Sequence, residues 1–198
     1  MNRSFAPSLA AVLGLIATAC GGGNGGGAEE TAATQQPAAE AEAGAAASLS
    51  MPEWMSVDEA AKTVTLDIIA GKDDSNNRWN FNGYSRGNGT VVVPVGYNVV
   101  INFRNDDPNI AHSIGVDART GNFPATFQDP QPVFAGAISP NPTSMQEATQ
   151  PGDSATISFT ADQAGDYSLV CYIPAHAATG MWIHFAVSAE GEAGFASS

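Results

Sequence analysis

The chain has 198 residues, of which 43% are hydrophobic; this is enough for one ordinary domain with a buried core. Seven Lys and Arg residues against 20 Asp and Glu residues give a net charge of −13. This charge argues against nucleic acid as a partner, and against docking on anionic lipid through a basic patch. With two cysteines and three histidines, thiol or imidazole chemistry has few candidate residues.

The N-terminus has the pattern of a secretory signal: Arg3 supplies a positive charge, and residues 9–19 form a short apolar run that ends in small residues. Residues 17–20 resemble a bacterial lipoprotein box, in which the cysteine becomes the lipid-modified first residue of the mature chain. We therefore expect residues 1–19 to be a lipoprotein signal peptide and Cys20 to be lipidated. An ordinary signal, with Cys20 free or in a disulfide, is the alternative.

Residues 20–50 are rich in Gly and Ala, contain few large apolar side chains and show no periodicity, which predicts a flexible linker. A linker of this length has an end-to-end distance on the order of 30 Å. Together with lipidated Cys20, it would hold a folded domain to a membrane at the extracytoplasmic face of the cell envelope, facing the periplasm.

The rest of the chain predicts short strands. Ser56 and Glu59 have the spacing of a capping box, which predicts one helical turn through Lys62. Runs rich in β-branched residues or with alternating hydrophobicity, bounded by turn residues, then predict eight strands: 62–70, 79–82, 90–94, 97–104, 111–116, 154–160, 165–171 and 181–187.

This series of strands predicts an all-β fold, an antiparallel sandwich or barrel, in one domain over residues 51–188. Residues 117–152 interrupt the series as a long inserted loop rich in Pro, Asn, Gln and Gly. Residues 189–198 have no strand signal and are predicted to be a flexible tail.

The most informative segment joins the last two predicted strands, because Cys171, His176 and Met181 follow one another at Cys-x4-His-x4-Met spacing. His112 lies far upstream, near the start of another predicted strand. Two imidazoles and a thiolate, with a weak axial thioether, are the ligands of a blue copper centre. We therefore predict a single copper ion bound by these four residues.

Other interpretations remain open at this stage. Cys171 could be a buried structural thiol or could pair with Cys20, His176 could lie on the surface, and Met181 could fill the core. Zinc is disfavoured because a thioether is a poor zinc ligand. A cysteine enzyme is also disfavoured, since no motif supplies a residue to orient the base. Four protein donors would leave no position on the metal for a substrate, so we expect electron transfer and not catalysis, with a copper carrier or storage lipoprotein as the alternative.

The sequence resembles the cupredoxins, and among them the sulfocyanins, over residues 62–188. The similarity is carried by six short segments: 81–83, 93–96, 111–113, 134–137, 165–167 and 171–182. The resemblance implies a Greek-key β-sandwich, a type 1 copper site with His112, Cys171, His176 and Met181 as ligands, and electron transfer in a respiratory chain. The expected partners are a haem-copper terminal oxidase or a cytochrome, and the chain itself is expected to be a monomer. Ala175 departs from the resemblance, since many relatives carry glycine there, and should alter loop packing more than ligation.

Two further expectations concern the surroundings of the copper. Resemblance to cupredoxins of high potential suggests a hydrogen bond from Ser113, the residue after His112, in the copper environment; a plain strand serine is the alternative. An exposed edge of His176 would be surrounded by small or apolar neighbours and would form a docking patch for transient partners, made of Ile173, Pro174, Ala175, Ala177 and Ala178. The acidic balance of the chain suggests a cationic partner.

Overall fold

The computed structural model describes residues 48–198. The predicted signal peptide, the predicted lipidation site Cys20 and nearly all of the predicted linker lie outside these residues. Within residues 48–198, no helix has the length and apolar character needed to cross a membrane.

The described chain is built almost entirely of strands. A short 3-10 helix, Ser75–Arg78, lies between the second and third of them. The strands are β1 (Met55–Asp58), β2 (Thr63–Ala70), β3 (Gly89–Pro94), β4 (Asn98–Asn105), β5 (Gly115–Asp117), β6 (Ser154–Thr160), β7 (Gly165–Val170), β8 (Trp182–Ser188) and β9 (Gly194–Ser197).

The strands form two sheets, with the orders β1-β2-β4-β6 and β5-β7-β8-β3-β9. The chain changes sheet at every step from β2 to β7. Strands β2 and β4, and likewise β3 and β8, are parallel neighbours, so the sheets are mixed and not purely antiparallel as predicted. Parallel pairing is available here because these neighbours are joined by crossovers and not by tight hairpins. The predicted all-β sandwich is confirmed.

The core lies between the two sheets. Alternate residues of β2, Val64, Leu66 and Ile68, are fully buried, as the alternation of a half-buried strand requires. Phe159 of β6 and Phe185 of β8 meet across the sandwich, with ring centroids 6.0 Å apart. This contact joins the sheet that contains β7 and β8 to the opposite sheet.

Two local predictions are wrong. Residues 56–58 belong to strand β1 and not to a helical turn, because they pair with β2, and β1 thereby buries Met55. The predicted strand 79–82 is irregular, apart from isolated bridges of Phe81 with Ala70 and Tyr84. In both places tertiary pairing overrides the local signal.

The predicted flexible tail at 189–198 is also wrong. Strand β9 pairs with β3, and its Phe195 is buried against the rings of Trp54 and Tyr84. The backbone of Phe195 also exchanges two hydrogen bonds with Ser50, which the sequence had placed at the end of the linker. The ordered domain therefore extends at both ends beyond 51–188.

The long loop 117–152 is irregular, as predicted, but it is packed on the sandwich. Phe134 stacks on Phe159 of the main core, with ring centroids 5.5 Å apart. Phe123 and Phe127 join a second, smaller apolar cluster with Tyr172. The loop thus packs against Tyr172, the residue that follows the candidate ligand Cys171.

Candidate metal centre

The four predicted ligands come from two places at one end of the sandwich. Cys171 directly follows β7 and Met181 directly precedes β8, and these strands are antiparallel neighbours. The backbone N–H of Cys171 donates to the carbonyl of Met181 at 3.1 Å, and that of Met181 donates to the carbonyl of His176 at 2.8 Å. His112 lies just before β5 and pairs with Thr149 in an isolated bridge.

Three of these side chains converge on one point. The Nδ1 atoms of His112 and His176 are 3.2 Å apart, and Cys171 Sγ lies 3.8 Å from the first and 3.4 Å from the second. His112 and Cys171 are 0% exposed and His176 is 1% exposed. Met181 is also fully buried, at the end of the same loop. One ion of ordinary bond length can therefore contact both imidazoles and the sulfur.

Burial sets the protonation of these donors. It lowers the pKa of His176 to about 3, with a smaller contribution from the neighbouring His112. Burial also lowers the pKa of His112, although Asp107 acts in the opposite direction. Both imidazoles are therefore neutral near pH 7 and can offer lone pairs. Burial raises the pKa of the Cys171 thiol to about 11, so binding a metal must release the thiol proton.

Asp107 holds one of the imidazoles and was missed by the sequence reasoning. Its Oδ2 lies 3.1 Å from His112 Nε2, and its Oδ1 accepts the backbone N–H of Asn109 at 2.9 Å. A proton on Nε2 leaves the lone pair of Nδ1 facing the other donors, an arrangement common around metal-binding histidines. The available signal was a carboxylate five residues before His112, in the short segment between two predicted strands.

Ser113 lies close to the sulfur of Cys171, as the expected hydrogen bond requires. Its backbone N–H donates to Cys171 Sγ at 3.4 Å, and its Oγ lies 3.7 Å from the same sulfur. The hydroxyl oxygen also accepts the backbone N–H of Tyr172 at 2.9 Å. Because that bond uses a lone pair of the oxygen, the hydroxyl proton is free to point at the sulfur.

The predicted exposed edge of His176 is wrong, because Trp79 covers the ring. The two rings are stacked, with centroids 4.0 Å apart and planes 22° apart. Of the five residues predicted to form the docking patch, Ile173 and Ala177 are buried, Ala175 is half-buried, and only Pro174 and Ala178 are exposed. Most of the ligand loop is therefore buried and does not form the exposed patch that was predicted.

Trp79 reaches His176 because the segment 71–88 is tied to the ligand loop. Asn76 is in the left-handed region and donates through Nδ2 to the Trp79 carbonyl, while its Oδ1 accepts Arg86 Nη2. The backbone N–H of Arg86 then donates to the carbonyl of Gly180 at 2.7 Å. A Cβ on Gly180 would lie 2.5 Å from Arg86 Cγ, so this close approach requires glycine.

The third histidine, His184, is not part of the group of candidate ligands. It is half-buried in β8 and makes an edge-on contact with Trp182, at 5.1 Å between ring centroids. Cys171 is buried and forms no disulfide within residues 48–198.

The sulfocyanin (SoxE) domain model matches residues 51–196. The chain belongs to the sulfocyanin family. A sulfocyanin of Sulfolobus acidocaldarius is 33% identical over 125 residues, which are 61% of this chain and 61% of that protein. Rusticyanin of Acidithiobacillus ferrooxidans is 31% identical over 103 residues, 52% of this chain and 62% of that protein. The matches thus span about three fifths of the length of these curated relatives.

Solved structures of rusticyanin are also similar. A structure of the copper protein rusticyanin has a TM-score of 0.42 at 26% identity, and the match covers 68% of this chain and 87% of that chain. Another, of rusticyanin from Thiobacillus ferrooxidans, has a TM-score of 0.43 at 22% identity, with 68% and 88% covered.

The donors of this sulfocyanin-family site fit one type 1 copper ion. Two neutral imidazoles and one cysteine sulfur converge, and a buried methionine ends the same loop. Soft sulfur donors suit Cu(I), and imidazole suits both oxidation states of copper.

Proposed function

We propose that this sulfocyanin-family chain is a blue copper electron-transfer protein, in which His112, Cys171, His176 and Met181 would hold the copper ion. The observation that carries the proposal is the convergence of the three donor atoms within 4.8 Å of one another in a buried site. Four protein donors leave no open position for a substrate, so the bound copper would supply one-electron exchange and not catalysis.

The surroundings of the donors support fast electron exchange. Asp107 holds His112 by a hydrogen bond, and Trp79 holds His176 by stacking. The backbone N–H of Ser113 is directed at the sulfur. Side chains fixed in this way need little rearrangement when the charge on the metal changes by one.

The proposed cellular setting is supported by the sequence alone. Lipidated Cys20 and the linker 20–50 would hold the domain at the periplasmic side of a membrane, within reach of a respiratory partner such as a haem-copper oxidase or a cytochrome. The domain would act as a monomer that meets its partners transiently. The linker supports this proposal because a flexible tether allows a domain to rotate and search for its partners while it stays attached.

A copper carrier or storage protein would use the same ligands, and burial argues against it. A carrier must expose its metal to a receiving protein, but every donor here is at most 1% exposed and Trp79 covers His176. Release of copper would require the segment 71–88 to move.

The two cysteines allow a paired experiment on the full chain, expressed with its signal in a bacterial host. We expect Cys171→Ser to abolish the intense blue absorption and the reversible one-electron titration while the protein stays membrane-bound. We expect Cys20→Ser to keep the blue colour but to release the protein from the membrane. A blue band that persists in Cys171→Ser would refute the ligand assignment. A colourless wild-type protein that gives Cu(I) readily to chelators would instead support a carrier.

A further inference from the structure

Strand β6 forms an edge of its sheet, because it has a neighbouring strand, β4, on one side only. At the two ends of their pairing, the backbone N–H of Asn105 donates to the carbonyl of Asp153, and that of Ala161 donates to the carbonyl of Tyr97. Successive residues of an antiparallel strand point their backbone groups to opposite sides, so the odd-numbered residues of β6 point towards β4. The even-numbered residues point their N–H and C=O groups away from the sheet: Ser154, Thr156, Ser158 and Thr160.

These outward backbone groups are unpaired. Within residues 48–198, no hydrogen bond joins them to another segment, and all four residues are exposed. Strand β6 also contains no Lys and no Pro, two residue types that commonly protect an edge from further pairing. By contrast, β5 is bonded to residues 133–139 of the long loop, β9 is bonded to Ser50, and β1 is only four residues long. Strand β6 is therefore the edge that is best suited to accept another strand.

The accessible part of this edge is short. A Cβ on Gly136 would lie 2.6 Å from the carbonyl oxygen of Ser158, so the long loop closes the edge at that residue. The part that remains, residues 154–156, is called here the open stretch. Ser154 and Thr156 each offer one outward N–H and one outward C=O, and such groups can form a β-ladder with a short extended segment.

A hollow lies beside the open stretch. Its volume is about 250 Å³, and it is lined by Pro140, Glu147, Ala148, Thr149, Asp153, Ser154 and Ala155. Its two charged residues, Glu147 and Asp153, are acidic and exposed, and neither forms an ion pair within residues 48–198. Arg104, which lies opposite Ser154 in the ladder, is already paired with Asp106 at 2.7 Å. The hollow can therefore receive a cationic side chain from a segment that pairs with the open stretch.

The charge of the hollow argues against two possible occupants. The N-terminal segment 20–47 of this chain contains four Glu and no Lys or Arg. Two copies of the chain that paired at the open stretch would be related by a two-fold axis, which would place Glu147 and Asp153 of each copy beside those of the other. Like charges repel in both cases, so the charge favours a segment of a different protein.

We propose that the open stretch of β6 binds an extended segment of a partner protein, which adds a strand to the sheet and places a Lys or Arg side chain in the hollow at Glu147 and Asp153. Backbone hydrogen bonds would supply the affinity, and the acidic hollow would select cationic segments. This gives the cationic partner suggested by the net charge a defined place of contact. The proposal concerns the binding of a polypeptide and goes beyond the proposed copper function.

Synthetic peptides provide the first test. Capped peptides of alternating Thr and Val carry one Arg, placed at each position in turn, and matched peptides carry Gln in its place or N-methyl groups on the backbone amides. Binding to the full chain with Cys20→Ser is followed by NMR under reducing conditions. We expect Arg peptides to bind, and Gln peptides to bind about two- to fivefold more weakly. N-methylated peptides should not bind, because they cannot form a ladder. Failure of every Arg peptide to bind would overturn the proposal.

Hydrogen exchange of single amides shows whether the edge is used. In the free protein, the N–H groups of Ser154 and Thr156 should exchange fast, whereas those of Ala155 and Ile157 should exchange slowly because they point towards β4. A bound Arg peptide should slow the exchange of Ser154 and Thr156. The N–H of Thr160, beyond the point that Gly136 closes, should stay fast. Binding that leaves Ser154 and Thr156 unprotected would contradict strand addition.

Two proline variants test the open stretch from the side of the protein. Thr156→Pro removes an N–H that points away from β4, at an edge position where proline is tolerated. Thr160→Pro is the matched control, since it removes an N–H of the same kind outside the open stretch. We expect Thr156→Pro to weaken the binding of Arg peptides by on the order of tenfold, and Thr160→Pro to bind as the wild type does. Equal affinities in the two variants would refute the assignment of the open stretch.

Charge variants test the hollow without altering the backbone. Glu147→Gln and Asp153→Asn should each reduce the preference for Arg peptides over Gln peptides. Asp162→Asn removes an exposed carboxylate just beyond the other end of β6 and should keep the full preference. An equal preference in all three variants would show that the hollow does not receive the cationic side chain.

The remaining outcomes separate the possible occupants and the two proposals. Protection of Ser154 and Thr156 that rises with protein concentration, without any peptide, would show that a second copy occupies the edge and would overturn the assignment to a partner protein. Failure of the peptides to bind a blue, redox-active protein would leave the proposed function intact. A protein that binds the Arg peptides but has no blue band would support the edge and refute the proposed function alone.

Discussion

The two histidines of the metal centre are equally buried but are held by opposite means. His112 is fixed by a charge-bearing partner, since Asp107 lies 3.1 Å from its Nε2. His176 is fixed by an apolar one, the Trp79 ring stacked at 4.0 Å. Within residues 48–198, the His176 ring makes polar contacts only through Nδ1, with His112 and Cys171. One histidine is therefore held by a hydrogen bond from its outer nitrogen, and the other is covered by an aromatic ring.

The largest expected effect is on the polar side. Replacing Asp107 by Ala removes the hydrogen bond to His112 Nε2, and we expect copper affinity to fall about 10–100-fold, as is usual when such a partner of a metal-binding histidine is lost. Asp107→Asn keeps an acceptor without the charge and should give an intermediate loss. Affinity is measured by competition with a chelator.

The control for this prediction is the neighbouring residue. Asp106 is paired with Arg104 at 2.7 Å and does not contact His112. Asp106→Ala should leave copper affinity unchanged. Equal affinities for the Ala variants at 106 and 107 would show that the carboxylate does not support His112.

The next effect concerns Ser113, on the same side. Ser113→Ala leaves the buried N–H of Tyr172 without an acceptor, so the free energy of unfolding should fall by about 1–3 kcal/mol. Ser139→Ala is matched, because Ser139 is buried and its Oγ accepts the N–H of Ile114 at 3.1 Å. Both variants should lose stability in denaturant titrations. Only Ser113→Ala should also shift the blue band and lower the reduction potential, because it removes a donor directed at the sulfur. Identical spectra and potentials in the two variants would contradict a role for Ser113 at the copper.

The apolar side should respond differently. Trp79→Leu removes the stacked ring from His176. We expect the free energy of unfolding to fall by about 1 kcal/mol more than the loss of buried apolar area alone would cause. In the reduced protein, NMR signals of the His176 ring should lose the ring-current shift of the indole. Trp79→Phe keeps an aromatic ring and should therefore preserve most of the stability and most of the ring-current shift. Copper affinity should fall less than in Asp107→Ala. An equally large loss would contradict the different roles given to Asp107 and Trp79.

The ligand set could be predicted from the sequence because it depends on local order. Cys171, His176 and Met181 lie in one loop between two adjacent strands, and spacing alone brings them to one end of the sandwich. His112 lies far upstream of this loop, but it was still an evident candidate ligand because the chain contains only three histidines. The strands in the centre of each sheet were predictable for the same reason, since β-branched alternation is local.

The supports of the ligands could not be predicted in this way. Trp79 meets His176 only because Arg86 closes on Gly180, a contact between segments almost 100 residues apart in the chain. Strand β9 was missed because its short sequence has no strand pattern, and its stability comes from the edge of β3 and from burial of Phe195. Such features arise from tertiary packing, to which a single sequence gives no direct access.

The smallest effect tests the departure at position 175, in the loop that carries His176. Ala175 has φ 69°, a left-handed conformation that costs a residue with a Cβ about 1–2 kcal/mol. Its backbone is fixed by an N–H donated to the Ala125 carbonyl and by its own carbonyl, which accepts the N–H of Thr179. Ala175→Gly keeps both bonds and should raise the free energy of unfolding by up to about 1 kcal/mol, without changing copper affinity. Ala178→Gly, in the same loop but without a positive φ, should instead lower it by about 0.5–1 kcal/mol. Opposite signs in denaturant titrations would show that the Ala175 backbone is strained and that this strain does not reach the copper ligands, whereas a loss in both variants would show no strain at position 175.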